Sequence, residues 1–153
     1  MELFARIGHE FYVLAVAMMP VLELRASVPL ALGFGLTWQE AFLFSYVGNL
    51  LPIPLVILLS RKVIGWLKTV KLFQAPANWL ERHIESKKEM VIRYSLIGLT
   101  VLVAIPLPGT GAWTGAMLAS LLDLRMRLAL PAIAGGVLIA NILVTGVTYG
   151  LFG

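Results

Sequence analysis

Four apolar runs, roughly Phe11–Phe34, Ala41–Leu59, Leu96–Leu122 and Leu128–Leu151, fill most of this chain, and each is long enough to enter a bilayer. Backbone placed in hydrocarbon must satisfy its own N–H and C=O groups, so runs of this kind fold as helices. Two of the four are interrupted. The first holds Pro20-Val21-Leu22-Glu23-Leu24-Arg25-Ala26-Ser27-Val28-Pro29, and the third holds Pro106-Leu107-Pro108-Gly109-Thr110-Gly111. Proline removes a backbone donor and breaks a helix. Each interrupted run therefore reads as two short helices around a break. A single helix over Leu96–Leu122 would also run about 40 Å, more than the ~30 Å hydrocarbon core requires.

Composition agrees with a membrane setting. Hydrophobic residues make up 59% and charged residues 13% of the chain, against about a quarter charged in soluble domains. One integral membrane domain over residues 1–153 is expected: a first repeat over 1–60, a basic linker over 61–93 and a second repeat over 94–153. No secretory signal is expected, because the first apolar run carries charges and prolines and lacks a small-residue cleavage site. Without cysteine there is no disulfide, thiol nucleophile or thiolate metal site. The net charge of +4 points to membrane orientation rather than to a nucleic-acid partner.

Taken in order, Met1–Met19 reads as a helix whose embedded part, Gly8–Met19, is about 18 Å long. After a break spanning Pro20–Pro29, Leu30–Leu36 supplies a second short piece. Thr37 is a plausible N-cap, with Glu40 three residues on as in a capping box. Trp38–Ser60 then crosses between an interfacial tryptophan and Arg61-Lys62, with Asn49, Pro52 and Pro54 inside it. In the polar stretch 61–93, Val63, Ile64, Trp66, Leu67, Val70 and Phe73 share one helical face. That suits an amphipathic helix lying in the headgroup region, and a solvated connecting loop is the competing reading. Leu96–Ile105 and Ala112–Leu122 flank the second break. A charged turn (Asp123, Arg125, Arg127) precedes the last crossing helix, which contains Pro131, Gly135-Gly136 and Asn141.

Laying Pro20 over Pro106, an offset of 86 (106 minus 20), makes the halves match in kind: short helix, break, short helix, polar turn, crossing helix. Gly48 falls against Gly135 at an offset of 87 (135 minus 48). Similar halves with interrupted helices are the best sequence pointer to a transporter-type site. The expected fold is all-α and integral to the membrane, an inverted repeat of a re-entrant helical hairpin plus a transmembrane helix. Re-entrant hairpins put the 61–93 stretch and the Asp123–Arg127 turn on one side and both termini on the other; four simple crossings put the two basic regions on opposite sides. The positive-inside rule places 61–93 in the cytoplasm either way, and favours the hairpins because Arg125 and Arg127 join it there.

The stretches Glu23-Leu24-Arg25-Ala26-Ser27-Val28-Pro29 and Ala104-Ile105-Pro106-Leu107-Pro108-Gly109-Thr110-Gly111-Ala112-Trp113-Thr114-Gly115-Ala116 resemble the two signatures of the putative small multidrug export protein family. That family is distantly similar to the DedA (VTT, SNARE-associated) superfamily, in which two re-entrant hairpins are implicated in moving polyprenyl phosphate or phospholipid. The resemblance implies a transporter in a cell (plasma or inner) membrane. Arginines common in that superfamily's second hairpin are absent from Pro106–Gly115, leaving Arg25 as the cation within either break.

The residues themselves supply the candidate site. Intramembrane charge is costly and marks a functional path, so Glu23 and Arg25 lead it. Helices beginning after Pro29 and after Gly111 would offer free N–H groups to an anion. Arg25 suits phosphate or carboxylate, and Glu23 is the candidate carrier of a coupling H⁺, or ligand of Na⁺. Gly109 and Gly111 let backbone approach a ligand, and Thr110 and Thr114 can donate hydroxyls. Ser27, Pro29, Pro106 and Pro108 line the breaks. Asn49 and Asn141 are expected to satisfy backbone groups of the hairpins, with ligand contact as the alternative. A structural reading competes throughout, in which Glu23 and Arg25 cap exposed backbone and transport nothing. An exporter of lipophilic cations using Glu23 as counter-ion is the alternative transporter. No metal-ligand spacing, cofactor motif or catalytic constellation is present, so an enzyme is not expected. Membrane lipid and a second copy are the expected partners, since two crossings would struggle to shield two polar hairpins from lipid.

Overall fold

The computed structural model describes residues 2–71, 88–107 and 109–153, and among these every regular element is a helix. In chain order they are α1 (Glu2–Met18), α2 (Glu23–Gly33), α3 (Trp38–Leu50), α4 (Ile53–Thr69), α5 (Lys88–Ala104), α6 (Ala112–Leu121) and α7 (Met126–Leu151). Two segments are long and apolar enough to cross a membrane: Trp38–Trp66, 29 residues made of α3 and α4 around a turn at Leu51-Pro52, and the 26 residues of α7. Pro131 sits in the second turn of α7, where it forfeits little of the helical ladder.

Four expectations are corrected. The first break is shorter than Pro20–Pro29: it spans Met19–Leu22, and α2 starts at Glu23 with Pro29 inside it. Pro29 deprives the Arg25 carbonyl of its i+4 donor, and the helix continues because one lost bond is less costly than unwinding a packed segment. Second, Arg61-Lys62 does not end the crossing helix; α4 runs on to Thr69. No cap or proline stops it there, so over 63–69 the expected interfacial helix is a continuation of α4. Its remainder beyond residue 71 lies outside the described residues. Third, the helix expected over Leu96–Ile105 already includes Lys88. Fourth, Gly48 matches Gly136 rather than Gly135.

That last point follows from packing. A Cβ on Gly48 would lie 2.5 Å from the Leu14 carbonyl and 2.9 Å from Ala17 Cβ. A Cβ on Gly136 would lie 2.7 Å from the Thr100 carbonyl and 2.7 Å from Val103 Cβ. Each glycine lets a crossing helix close onto the first short helix of its own half, α3 onto α1 and α7 onto α5. Boundaries match as well. Met18 and Ala104 end α1 and α5 at an offset of 86 (104 minus 18), while Trp38 and Met126 open α3 and α7 at an offset of 88 (126 minus 38).

The turns leaving α2 and α6 are the same device. Leu36 N–H donates to Ala31 and Gly35 N–H to Leu32; Leu124 N–H donates to Ala119 and Asp123 N–H to Ser120. These are Schellman closures, with Gly35 at φ +72° and Asp123 at φ +50° as the left-handed residues. Thr37 then caps α3 in a full capping box with Glu40, as the sequence predicts. Each turn is tied to the far end of the other half's crossing segment. Arg61 Nη2 donates to the Leu124 carbonyl, and Tyr149 Oη donates to the Leu36 carbonyl at 2.9 Å. Arg6 pairs with Glu40 at 2.5 Å beside the second of these ties. Arg61 and the Asp123–Arg127 turn thus share one end of the molecule; Arg6, Leu36 and Tyr149 share the other.

Between the ends, Leu24 and Val28 of α2, Ile53 and Ile57 of α4, Leu99 and Val103 of α5, and Ala112, Ala116 and Ala119 of α6 pack with Ala129, Ile133 and Val137 of α7 in one buried cluster. The small α6 residues let it sit close against α4 and α7. Large apolar side chains such as Phe11, Leu43, Leu55, Val101, Ile142 and Val147 face outward, the arrangement of a protein whose surroundings are lipid.

Candidate functional site

The first break turns so tightly that Glu23 adopts φ +48°, a left-handed conformation rare for a residue with a side chain. Backbone strain of this kind persists only where surrounding contacts fix it. Those contacts are supplied by the second break. Glu23 is 4% exposed, and its Oε1 accepts a hydrogen bond from the Trp113 N–H at 3.3 Å, with the Ala112 N–H also facing the carboxyl. The residue preceding α6, Gly111, offers no side-chain cap. A carboxylate from the other half of the chain therefore caps α6, where free N–H groups and the helix dipole favour negative charge. Gly111 makes this possible. It has φ +153°, and a Cβ there would overlap the Glu23 carboxyl.

Arg25 reaches the same break. Its Nη2 donates to the Thr110 carbonyl and, at 3.0 Å, to Thr110 Oγ1. Thr110 organises the turn, since Oγ1 also accepts from the Leu107 N–H at 3.2 Å and lies 2.6 Å from the Ile105 carbonyl. Thr114 Oγ1 donates to the Gly109 carbonyl at 3.0 Å, with Gly109 at φ +83°. The Trp113 indole closes the junction by donating to the Met18 carbonyl at 3.2 Å. Pro106 is half-buried at the edge of the turn, Pro29 is exposed, and Pro108 lies outside the described residues.

The structure thus brings Glu23, Arg25, Thr110 and Gly111 together, with Gly109 and Thr114 in the adjoining turn. Glu23 and Arg25 are not bonded to each other: among the described residues the ion pair is Arg6–Glu40. Two residues apart near a helix start, they diverge, and each finds its partners in the second break. Nor does α2 begin after Pro29, so the N-terminus that receives an anion is that of α6.

The three remaining polar residues separate. Ser27 Oγ donates to Ser45 Oγ at 2.7 Å, locking α2 to α3. Asn141 Nδ2 donates to the Phe42 carbonyl at 2.8 Å, and its Oδ1 accepts from Thr145 at 3.3 Å. It satisfies backbone as expected, but of α3 and not of a hairpin. Asn49 does not do so. It is fully buried and faces the Glu23 carboxyl, yet neither Nδ2 nor Oδ1 has a hydrogen-bond partner. Sequence reasoning missed Trp113 and Ser45. Trp113 contributes its backbone and indole N–H, which no residue spacing announces, and Ser45 is one hydroxyl on a helix face.

Neither a curated protein nor a solved structure matches the chain. The family model described as putative small multi-drug export protein matches residues 23–143, a span that opens on Glu23 just after the first break and holds the second break, Asn49 and Asn141. The chain belongs to this putative small multi-drug export protein family.

Proposed function

We propose that this membrane exporter is a transporter of the DedA-like type, in which an inverted repeat of re-entrant hairpin plus crossing helix couples H⁺ or Na⁺ to the movement of an anionic lipid phosphate or small amphipathic molecule. The observation that carries the reading is the capping of α6 by Glu23 across the two breaks. A carboxylate there occupies the position an anionic substrate would take. Neutralising Glu23, by a proton or a bound cation, frees the Trp113 N–H, and Arg25 is already beside it to receive phosphate or carboxylate oxygens. Substrate and charged Glu23 compete for one place, and that competition is the coupling.

Support for re-entrant hairpins comes from the ends. α1 packs against α2 and α5 against α6, and Arg61 bonds to the turn after α6. With 61–93 in the cytoplasm, the Asp123–Arg127 turn is cytoplasmic too, and Arg6 and Tyr149 are external. Introducing single cysteines into this cysteine-free chain tests it: Arg127→Cys should label from the cytoplasmic side and Gln39→Cys from outside, both being exposed positions. Labelling of both from one side would remove the hairpins. For function, purified protein in vesicles should show gradient-driven flux that Glu23→Gln and Arg25→Ala abolish without unfolding; unchanged flux in both variants would remove the site.

One observation favours the cation-export reading instead. An open cleft of about 250 Å³ lies between Trp38, Phe42, Tyr149, Ile142, Thr145 and Gly146. Aromatic faces suit lipophilic cations. The cleft, however, is lined away from Glu23, and Arg25 stands beside the only carboxylate in the breaks, so this reading ranks second. The chain is proposed to act without a cofactor or catalytic step, as a homodimer that shields the hairpins from lipid.

A further inference from the structure

Asn49 poses a chemical problem that Glu23 can solve. Its side chain is wholly buried, it faces the Glu23 carboxyl from α3, and both amide atoms lack partners. A buried polar atom left unpaired is costly, so a native structure retains one for a reason. An ionised carboxylate only accepts hydrogen bonds. It could take one from Nδ2, but its other lone pairs would face the Oδ1 lone pairs. A sodium ion would satisfy Oδ1 and leave Nδ2 orphaned. A carboxylic acid alone matches both atoms: its O–H donates to Oδ1 while its C=O accepts from Nδ2.

We infer that Asn49 is the seat of protonated Glu23, so that the carboxyl caps α6 when charged and pairs with the Asn49 amide when neutral. This rests on the reading of Glu23 as the coupling group and deepens it, by making H⁺ rather than Na⁺ the coupling ion. The groups facing Glu23 are few: Arg25 from its own helix, the Ala112 and Trp113 N–H groups from α6, and Asn49 from α3. Nδ2 of Asn49 can donate to either form of the carboxyl, and the O–H bond to Oδ1 is what the neutral form alone gains. Leaving α6 also vacates the Trp113 N–H, which is the event the transport cycle requires.

Infrared difference spectroscopy of the purified protein in lipid nanodiscs, taken between acidic and alkaline pH, reads this directly. The native chain should show one protonated-carboxyl C=O band that disappears in Glu23→Gln. In Asn49→Leu that band should move to higher wavenumber, because the acid loses both hydrogen bonds. An unmoved band in Asn49→Leu, the absence of any Glu23 acid band over the accessible pH range, or Na⁺ at fixed alkaline pH reproducing the acid spectrum would each overturn the pairing. Should Asn49→Leu not fold, the native chain labelled with ¹⁵N at asparagine serves. The Asn49 side-chain resonance, told apart from those of Asn78 and Asn141 by conservative variants of those two, should follow the Glu23 band through its titration. A resonance that stays still would overturn it. The two proposals fail separately. A band present without proton-driven flux would sink the transport reading, whereas flux with a band indifferent to Asn49→Leu would sink the pairing.

Discussion

The two breaks occupy matching places in the two halves, yet share almost no chemistry. The break before α2 spans four residues, Met19–Leu22, and delivers charge: Glu23 and Arg25 project from it. The break before α6 runs from Ile105 to Gly111, carries no charged side chain, and delivers backbone: the Trp113 N–H, the Thr110 carbonyl and the space at Gly111. Neither makes a site alone. The lesson is that one architecture used twice can yield a single junction when one copy specialises in side chains and the other in main chain.

The largest effect should come from closing the space. Gly111→Ala puts a methyl into the Glu23 carboxyl at a φ that resists a side chain, leaving a buried carboxylate and the α6 N–H groups unmatched. A loss of about 2–5 kcal/mol in denaturant unfolding is expected, with gradient-driven flux gone. Gly109→Ala, where a Cβ meets nothing within 4 Å, should cost only the left-handed strain, about 1–2 kcal/mol. Equal losses would mean that the contact with Glu23 is not what Gly111 serves.

Next is the charged side of the comparison. Arg25→Ala removes both bonds to Thr110 and should cost about 1.5–3 kcal/mol, as bonds to charged groups do. Arg25→Lys keeps the charge but not the forked donor and should recover part of that. The contrast then extends to the crossing helices. Asn141→Leu strands the Phe42 carbonyl and should cost about 1–3 kcal/mol, whereas Asn49→Leu strands nothing and should be neutral or stabilising. Thermal unfolding of both variants checks this, and a matching penalty at Asn49 would break it. The smallest effect concerns caps. Thr37→Ala should cost about 1 kcal/mol, while Arg125, which caps α7 with no side-chain bond, should gain up to about 1 kcal/mol on replacement by serine.

Much of the helical frame was legible in the sequence because its signals are local. Thr37 and Glu40 announce the start of α3, and α6 begins after Gly111 as expected. Proline misled at Pro29, since propensity alone cannot weigh one lost hydrogen bond against the burial of Leu24 and Val28 on the same helix. The end of the first crossing was misplaced at Arg61 for a related reason: that cation turns out to bond the Leu124 carbonyl, a partner 63 residues away. Glu23 and Arg25 were recognisable from the cost of charge in lipid. Their partners were not, because main-chain N–H and C=O groups are the same for every residue. Asn49 could be read only once its surroundings were known, for an amide without partners is indistinguishable in sequence from one like Asn141.

The offset of 88 that relates the helix starts Trp38 and Met126 also relates Glu23 to Gly111. Had the second half duplicated the first faithfully, two carboxyl groups would have met head-on in one buried junction. With an acid on one side and a missing side chain on the other, the collision becomes a plug and its socket.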